Sequence, residues 1–413
     1  MADILLLYPK TGHDVRGVSV SAPLALTTVA SHLVSDFSVK ILDQRACDDF
    51  WGDLETELKS QPILVGITSM TGTQIFYGLE MSKFIRERSA VPIVWGGMHA
   101  TILPAQTVSK PYIDFVLRGE GEKSLRALVQ TLSRKETDYD NIPGLVWKKA
   151  NRIYQTPQAD PLDLDQSPKV PWHLVNVEEY TSPTQFLYPG ANRLLPYQGS
   201  RGCPFKCTFC SEPILTRKFR MRKPSKIVDE CLELVDKYKL DHITFFDEEF
   251  FINTKWANEM AEAINGKFTW WAQTRAADLL KVDLKKMERC GLLVIAPGLE
   301  SGADRMLQFI RKKEKVEEYR EANKKLAETK LQVQYNLIIG FPTETQQELN
   351  QTVDLVLHLL QTNKNSFINQ LSPLTPLPGT ELLAQVIKNY EFREPKRIEE
   401  WIQITRGKQE RSW

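Results

Sequence analysis

No apolar run in these 413 residues is long enough to cross a bilayer; the longest, such as 4–8 and 292–297, are strand-sized. The opening Met-Ala-Asp-Ile-Leu has no basic region and no cleavage site, so no signal peptide is expected. Net charge is +1 with no long block of like charge, which removes the electrostatic case for a nucleic-acid or membrane-surface partner. Cysteine is scarce, at six residues, and nothing suggests an exported disulfide framework. These absences point to a reduced, cytoplasmic protein. The length allows two domains, and 42% hydrophobic with 25% charged residues is ordinary for a globular chain.

Three of the six cysteines fall in one stretch, Gly199-Ser-Arg-Gly-Cys-Pro-Phe-Lys-Cys-Thr-Phe-Cys210. Cys203, Cys207 and Cys210 have the spacing C-x3-C-x2-C, with Gly202 and Pro204 shaping the loop. Three thiolates on a tight loop can hold three irons of a cubane cluster, leaving the fourth iron for a small molecule. A structural zinc site wants four ligands, usually in two spaced pairs, and no second pair exists. A catalytic zinc with three ligands and water stays open. Three unrelated buried cysteines are the blander alternative, against which stand the loop's shape and the strand-like run before it. Cys231 and Cys290 lie singly on apolar helix-like faces and read as core residues.

With Phe209 before its last cysteine, this loop resembles that of the radical S-adenosylmethionine enzymes. The resemblance implies a [4Fe-4S] cluster whose open iron is chelated by the amino and carboxylate groups of S-adenosylmethionine. Reduction by a donor such as a flavodoxin or ferredoxin then yields a 5'-deoxyadenosyl radical.

The first third alternates strand-like runs near 3–8, 39–42, 63–68, 93–95 and 115–117 with helical stretches at 23–34, 49–59, 74–88, around Pro104 and at 122–133. That order predicts an α/β fold with a parallel, doubly wound sheet. Ligands of such sheets sit at the carboxyl ends of the strands. Those ends carry Thr68-Ser-Met-Thr71, Gly96-Gly-Met-His-Ala-Thr101 and Arg118-Gly-Glu-Gly-Glu122. Each alone is an ordinary tight turn; three on one edge favour a ligand. Their order is similar to that of the cobalamin-binding domain that precedes many radical S-adenosylmethionine domains. The resemblance places Ser69, Met70 and Thr71 toward the nucleotide tail, and Gly96, Gly97, Gly119 and Glu120 along the cobalamin slot. It leaves His99 contacting the tail or corrin, or capping its turn. Domains of this kind that ligate cobalt through histidine carry D-x-H-x-x-G, whereas here the loop reads Pro9-Lys-Thr-Gly-His-Asp-Val-Arg-Gly17. No histidine is therefore expected on the lower cobalt face, and His13 reads as a solvated loop residue.

Residues 137–192 form a proline-rich linker. It holds a hairpin at 144–154 that turns at Ala150-Asn151, and Pro168, Pro171, Trp172 and Tyr180 form a belt across both domains. Strand signals resume at 194–197, 242–246, 269–273, 292–296, 332–339 and 367–371. Helices are expected at 225–239 and 255–265, with a charged one at 304–329 as a solvated outer face. Six such units suggest a partial (β/α)6 barrel with its site at the strand ends. The expected organisation is a cobalamin-binding domain at 1–136, the linker, a barrel at 193–391 and a short segment at 392–413.

Further strand ends carry the resemblance. Phe246, Asp247 and Glu248 stand where the family binds the amino group of S-adenosylmethionine, with helix capping the alternative for Asp247. Arg275 would take the carboxylate through its planar fork, or form a barrel salt bridge. Glu300 and Ser301 would meet the ribose. Ile339 and Gly340 would lie against adenine, with Glu344 closing the motif; Asn336 replaces that motif's first glycine. Pro373-Leu-Thr-Pro-Leu-Pro-Gly379 resembles the sixth strand end. Trp270 and Trp271 alternate faces along their strand, so that one could point into the barrel, with core packing the better expectation for it. Trp401 and Trp413 pack over the barrel mouth or anchor on the surface.

The resemblance implies methylation of an unactivated carbon of a small molecule or peptide, through the adenosyl radical and methylcobalamin. The same cofactors also serve oxidative ring formation or skeletal rearrangement in this family. A cobalamin and iron-sulfur sensor without turnover is the alternative of another class.

Overall fold

The computed structural model describes residues 2–150, 152–182 and 190–405. Apolar runs form the parallel strands β1 (Ile4–Tyr8), β2 (Val39–Asp43), β3 (Leu64–Thr68), β4 (Ile93–Gly96) and β5 (Phe115–Leu117). Successive side chains go to opposite faces. Leu5, Leu7, Val65, Ile67 and Trp95 pack on one face with the helices Phe50–Leu58 and Thr73–Arg88. Ile4, Leu6, Leu64 and Val94 pack on the other with Leu24–Ala30 and Glu122–Ser133. The strand order β2-β1-β3-β4-β5 reverses beside β1, opening a crevice at the carboxyl ends.

The expected hairpin forms as β6 (Leu145–Lys149) and β7 (Arg152–Gln155), but it does more than link. It pairs antiparallel with β5 and extends the first sheet to seven strands. Trp147 and Tyr139 cover Phe115 there, shielding an edge that would otherwise expose aromatic surface. Asn151, at the expected turn, lies outside the described residues. Trp172 and Tyr180 are buried together with Val20 and Ala22 of the first domain, so this stretch does belt the two halves.

The second half forms β8 (Leu194–Tyr197), a two-residue ribbon of β9 (Ser200–Arg201) and β10 (Arg220–Met221), then β11 (His242–Phe245), β12 (Thr269–Thr274), β13 (Leu292–Glu300), β14 (Gln332–Ile339) and β15 (Ser366–Pro373). Strands β8 and β11 to β15 make one parallel six-stranded sheet with β8 and β15 at its edges, an open barrel. Trp270 is fully buried in the core, while Trp271 is half-buried and donates its indole N–H to Gln334 Oε1 at 2.7 Å.

Two expectations fail. The charged stretch 304–329 is not one solvated helix: helices Asp304–Phe309 and Val316–Ala327 are separated by a return at 310–315. Arg311 and Lys313 there have φ of +54° and +56°, and Lys312 and Glu314 turn inward to 7% and 6% exposure. Nor does Trp401 cover the barrel mouth. The helices Glu381–Asn389 and Trp401–Thr405 return to the first domain, where Leu383, Val386, Phe392, Ile398 and Trp401 complete one face of its core. Trp401 donates to Gln106 Oε1 at 3.0 Å, and Gln106 Nε2 donates to Pro395 O at 3.2 Å. Trp413 lies outside the described residues. No helix among the described residues is long and apolar enough to cross a membrane.

Candidate functional site

A cavity of about 570 Å³ runs from the carboxyl ends of the first sheet to the cysteine loop of the barrel. The first domain contributes Met70, Gly96, Gly97, Met98, Gly119 and Glu120, and the barrel contributes Gln198, Gly202, Glu212, Phe246 and Glu248. The cavity is mostly apolar, as sites for sizeable ligands are. Two halves of the chain thus meet around one space.

On the first-domain side, small residues make the room. Nothing lies within 4 Å of where a Cβ on Gly96 would stand, so this glycine opens onto the cavity. Gly97 has φ +89°, and a Cβ there would sit 2.8 Å from Ser69 N and O. Only glycine allows β3 and β4 to end so close together. Ser69, Thr71 and His99 do not line the cavity. The Ser69 hydroxyl is fully buried and donates to Gly96 O at 3.0 Å. Thr71 Oγ1 meets His99 Nδ1 at 3.0 Å, and the His99 ring lies edge-on to Trp401 with centroids 6.3 Å apart. Burial pulls the His99 imidazole down to about 4, so it is neutral near pH 7. These residues build the turn behind the slot. His13 is exposed, as expected, in a loop ordered by Asp14, which accepts from Thr11 Oγ1 at 2.7 Å.

Glu120 lines the cavity but is already committed. It accepts from both Arg220 nitrogens and lies 3.5 Å from Arg201, which also pairs with Glu122 at 2.7 Å. Arg201 and Arg220 come from the β9–β10 ribbon, so this buried lattice fastens the first domain to the cysteine loop. Sequence reading gave Glu120 a ligand role and missed its partners, which lie 81 or more positions away in the chain.

The cysteine loop leaves β9 through Gly202, at φ +90°, where a Cβ would stand 2.9 Å from Lys218 O. Thr208 N donates to Ile310 O at 3.0 Å, the Cys207 thiol faces Arg311 O at 3.9 Å, and Glu212 N donates to Cys210 Sγ at 3.4 Å. All three thiols are free and half-buried. Burial raises them, Cys203 to about 11 and Cys210 to about 12, so thiolates need a metal to form here. Among the described residues, no group of three His, Cys, Asp or Glu converges as a single metal ion would require. Phe209 packs edge-on to Phe341, ring centroids 6.2 Å apart, joining the loop to the end of β14.

The other barrel strand ends supply charge. Phe246 and Glu248 face the cavity. Glu248 protrudes into it, yet enclosure, then the charges of Glu212 and Asp247, push its carboxyl up to about 7. Asp247 instead turns inward: fully buried, it accepts from Gly199 N at 3.1 Å and is raised to about 6 by burial. It anchors the strand that feeds the cysteine loop and caps no helix. Glu249, absent from the sequence-based site, accepts from Thr274 Oγ1 at 2.5 Å and Arg275 N at 3.2 Å, and burial raises it to about 7.

Arg275 stacks over Phe205 of the cysteine loop at 3.7 Å and donates through Nη2 to Lys313 O at 2.7 Å. Its Nη1 is buried without a partner, an unmet donor beside the loop. Glu300 meets Lys312 at 3.0 Å. Burial alone would lower the Lys312 ammonium, but Glu300 and then Glu314 hold it above the usual lysine range. Ser301 does not join this group; its hydroxyl is fully buried, accepting from Ala303 N at 3.2 Å and lying 3.4 Å from Thr352 Oγ1. Ile339 ends β14 and Gly340 follows it, where Glu344 closes the turn by accepting from Gly340 N at 2.6 Å. Asn336 meets Asn369 at 3.0 Å. Lys312 and Glu314 were missed because an alternating charge run looks solvated in sequence.

Comparison with known proteins matches residues 197–356 to the Radical SAM superfamily and residues 17–129 to the B12 binding domain. The chain is 30% identical over 400 residues to an uncharacterized methyltransferase, PH0819, of Pyrococcus horikoshii, covering 94% of this chain and 83% of that one. It is 31% identical over 335 residues to an anaerobic magnesium-protoporphyrin IX monomethyl ester cyclase of Cereibacter sphaeroides, of whose length it spans only 53%. Its fold is similar to that of the radical S-adenosylmethionine methyltransferase TsrM from Kitasatospora setae, solved with cobalamin and a [4Fe-4S] cluster (TM-score 0.76, 19% identity, 94% of this chain and 75% of that chain).

Proposed function

Because the chain belongs to the cobalamin-binding radical S-adenosylmethionine enzymes, with a [4Fe-4S] cluster, S-adenosylmethionine and cobalamin as cofactors, we propose that it methylates an unactivated carbon of a small molecule or peptide. The observation that carries this reading is the single cavity lined both by the first sheet's strand ends and by the cysteine loop. When bound, the cofactors supply hydrogen abstraction and a methyl group, chemistry no side chain offers.

The chain's share is placement. Cys203, Cys207 and Cys210 hold the cluster. Glu248 receives the amino group of S-adenosylmethionine, and the unmet Arg275 Nη1 receives its carboxylate. Glu300 faces the ribose, and Phe209 and Ile339 border the adenine. Gly96, Gly97 and Gly119 let a macrocycle approach the first sheet. The apolar walls exclude water. An external one-electron donor of flavodoxin or ferredoxin type completes the system.

The test is anaerobic reconstitution with iron, sulfide and cobalamin, then S-adenosylmethionine and a strong reductant, assaying 5'-deoxyadenosine and S-adenosylhomocysteine beside Cys207→Ala. Both products, with deoxyadenosine lost in the variant, are expected. Deoxyadenosine alone moves the reading to oxidative ring formation, which the similarity to the cyclase favours as the second possibility. Neither product with a bound cluster returns the chain to a binding role.

A further inference from the structure

The return at 310–315 puts one lysine beyond the reach of solvent. Lys312 Nζ lies 3.0 Å from Glu300 Oε1 and 3.7 Å from Glu314 Oε2, with the three side chains 8%, 12% and 0% exposed. A buried ion pair is weak evidence for stability, since desolvation offsets much of the attraction. Its geometry tells more. Glu300 ends β13 with φ +65°, a left-handed conformation unfavourable for a residue with a Cβ. It follows a shift in the β13–β14 register between Gly298 and Glu300. Its carboxylate folds back over Gly298, where a Cβ would stand 2.6 Å from Glu300 Oε1 and 3.2 Å from Lys312 Nζ. A left-handed backbone, a glycine that leaves room and a buried ammonium thus aim one carboxylate at the ligand end of the barrel. The lysine is brought there by the cysteine loop itself, through Thr208 N to Ile310 O.

We infer that Lys312 is a positioning residue of the S-adenosylmethionine site, acting through Glu300 to hold its carboxylate in the orientation that accepts the ribose hydroxyls. This deepens the reading above and rests on it.

The experiment is calorimetric binding of S-adenosylmethionine to the reconstituted chain with its cluster oxidised and no reductant, with iron per chain and cobalamin affinity measured alongside. Glu300→Gln and Lys312→Met are each expected to raise Kd about tenfold or more, the scale of one hydrogen bond to a charged group. The double variant should be no weaker than the worse single variant, because the pair acts as a unit. Lys312→Arg should recover most of the affinity, with iron and cobalamin unchanged throughout. Wild-type affinity in Lys312→Met, or multiplied losses in the double variant, overturns the inference. Should Lys312→Met not fold, Gly298→Ala must show the same loss with the lysine in place, and unchanged affinity there overturns it equally. A parent chain that binds no S-adenosylmethionine refutes the site reading itself; a parent that binds beside unmoved variants refutes only the role of Lys312.

Discussion

At the ends of its first sheet the chain takes side chains away, leaving Gly96, Gly97 and Gly119, while the one buried histidine nearby is held neutral. At the ends of the barrel it crowds charge in, with Asp247, Glu248, Glu249, Arg275, Glu300, Lys312 and Glu314 around the cysteine loop. Under the proposed function, the difference reflects what each face would hold. A broad macrocycle is bound by shape and by close backbone approach. A small molecule with an ammonium and a carboxylate is bound by matched charges whose desolvation is met in advance.

The contrast can be broken outright at the cysteines. Cys207→Ala should abolish the cluster and all deoxyadenosine while leaving cobalamin affinity unchanged, as read by iron analysis and equilibrium dialysis. Loss of both cofactors together would mean the two faces are not separable. The converse change is Gly96→Leu, whose Cβ would enter open space with no atom within 4 Å. It should weaken cobalamin binding by more than about tenfold, roughly 1.4 kcal/mol, with iron content and melting temperature close to the parent.

A third test addresses the seam between the faces. Glu120→Gln leaves Arg220 and Arg201 short of a buried partner and should destabilise the chain by about 3 kcal/mol in urea denaturation, the usual cost of breaking such a pair from one side. If the cost is near zero, the domains are fastened elsewhere. The fourth test concerns pH. Glu249 is raised by burial to about 7, so the folded chain binds that proton more tightly than the unfolded one. Its contribution is therefore greatest in acid and is lost as pH rises from the usual carboxylate range to about 7. Urea midpoints of the cluster-free chain between pH 5 and 8 should show that decline, to which Asp247 and Glu248 add with the same sign, and Glu249→Gln should reduce its slope.

Local signals were legible in the sequence. The cysteine spacing, the strand and helix alternation and the glycine turns each depend on neighbours in the chain, and helix Glu122–Ser133 falls where its pattern placed it. What needed distant partners was not. Lys312 and Glu314 alternate inward with outward-facing Arg311, Lys313 and Lys315, and a helical reading of that run hid the alternation. Ser69 and Ser301 looked like ligand contacts, but the Ser69 hydroxyl is spent on Gly96 O of the neighbouring strand end and the Ser301 hydroxyl on Ala303 N of its own turn. Tyr180 reaches Asp43, and Trp401 reaches Gln106, across separations that no window of sequence spans.

That last contact bears on the order in which the protein is made. The first domain leaves the ribosome early, yet one face of its core includes Ile398, Trp401 and Ile402, which are synthesised hundreds of residues later. Until they arrive, the wall against the helix Thr73–Arg88 is missing and His99 lacks the ring that packs on it. The core of the first domain is thus closed only when the last part of the chain has been made.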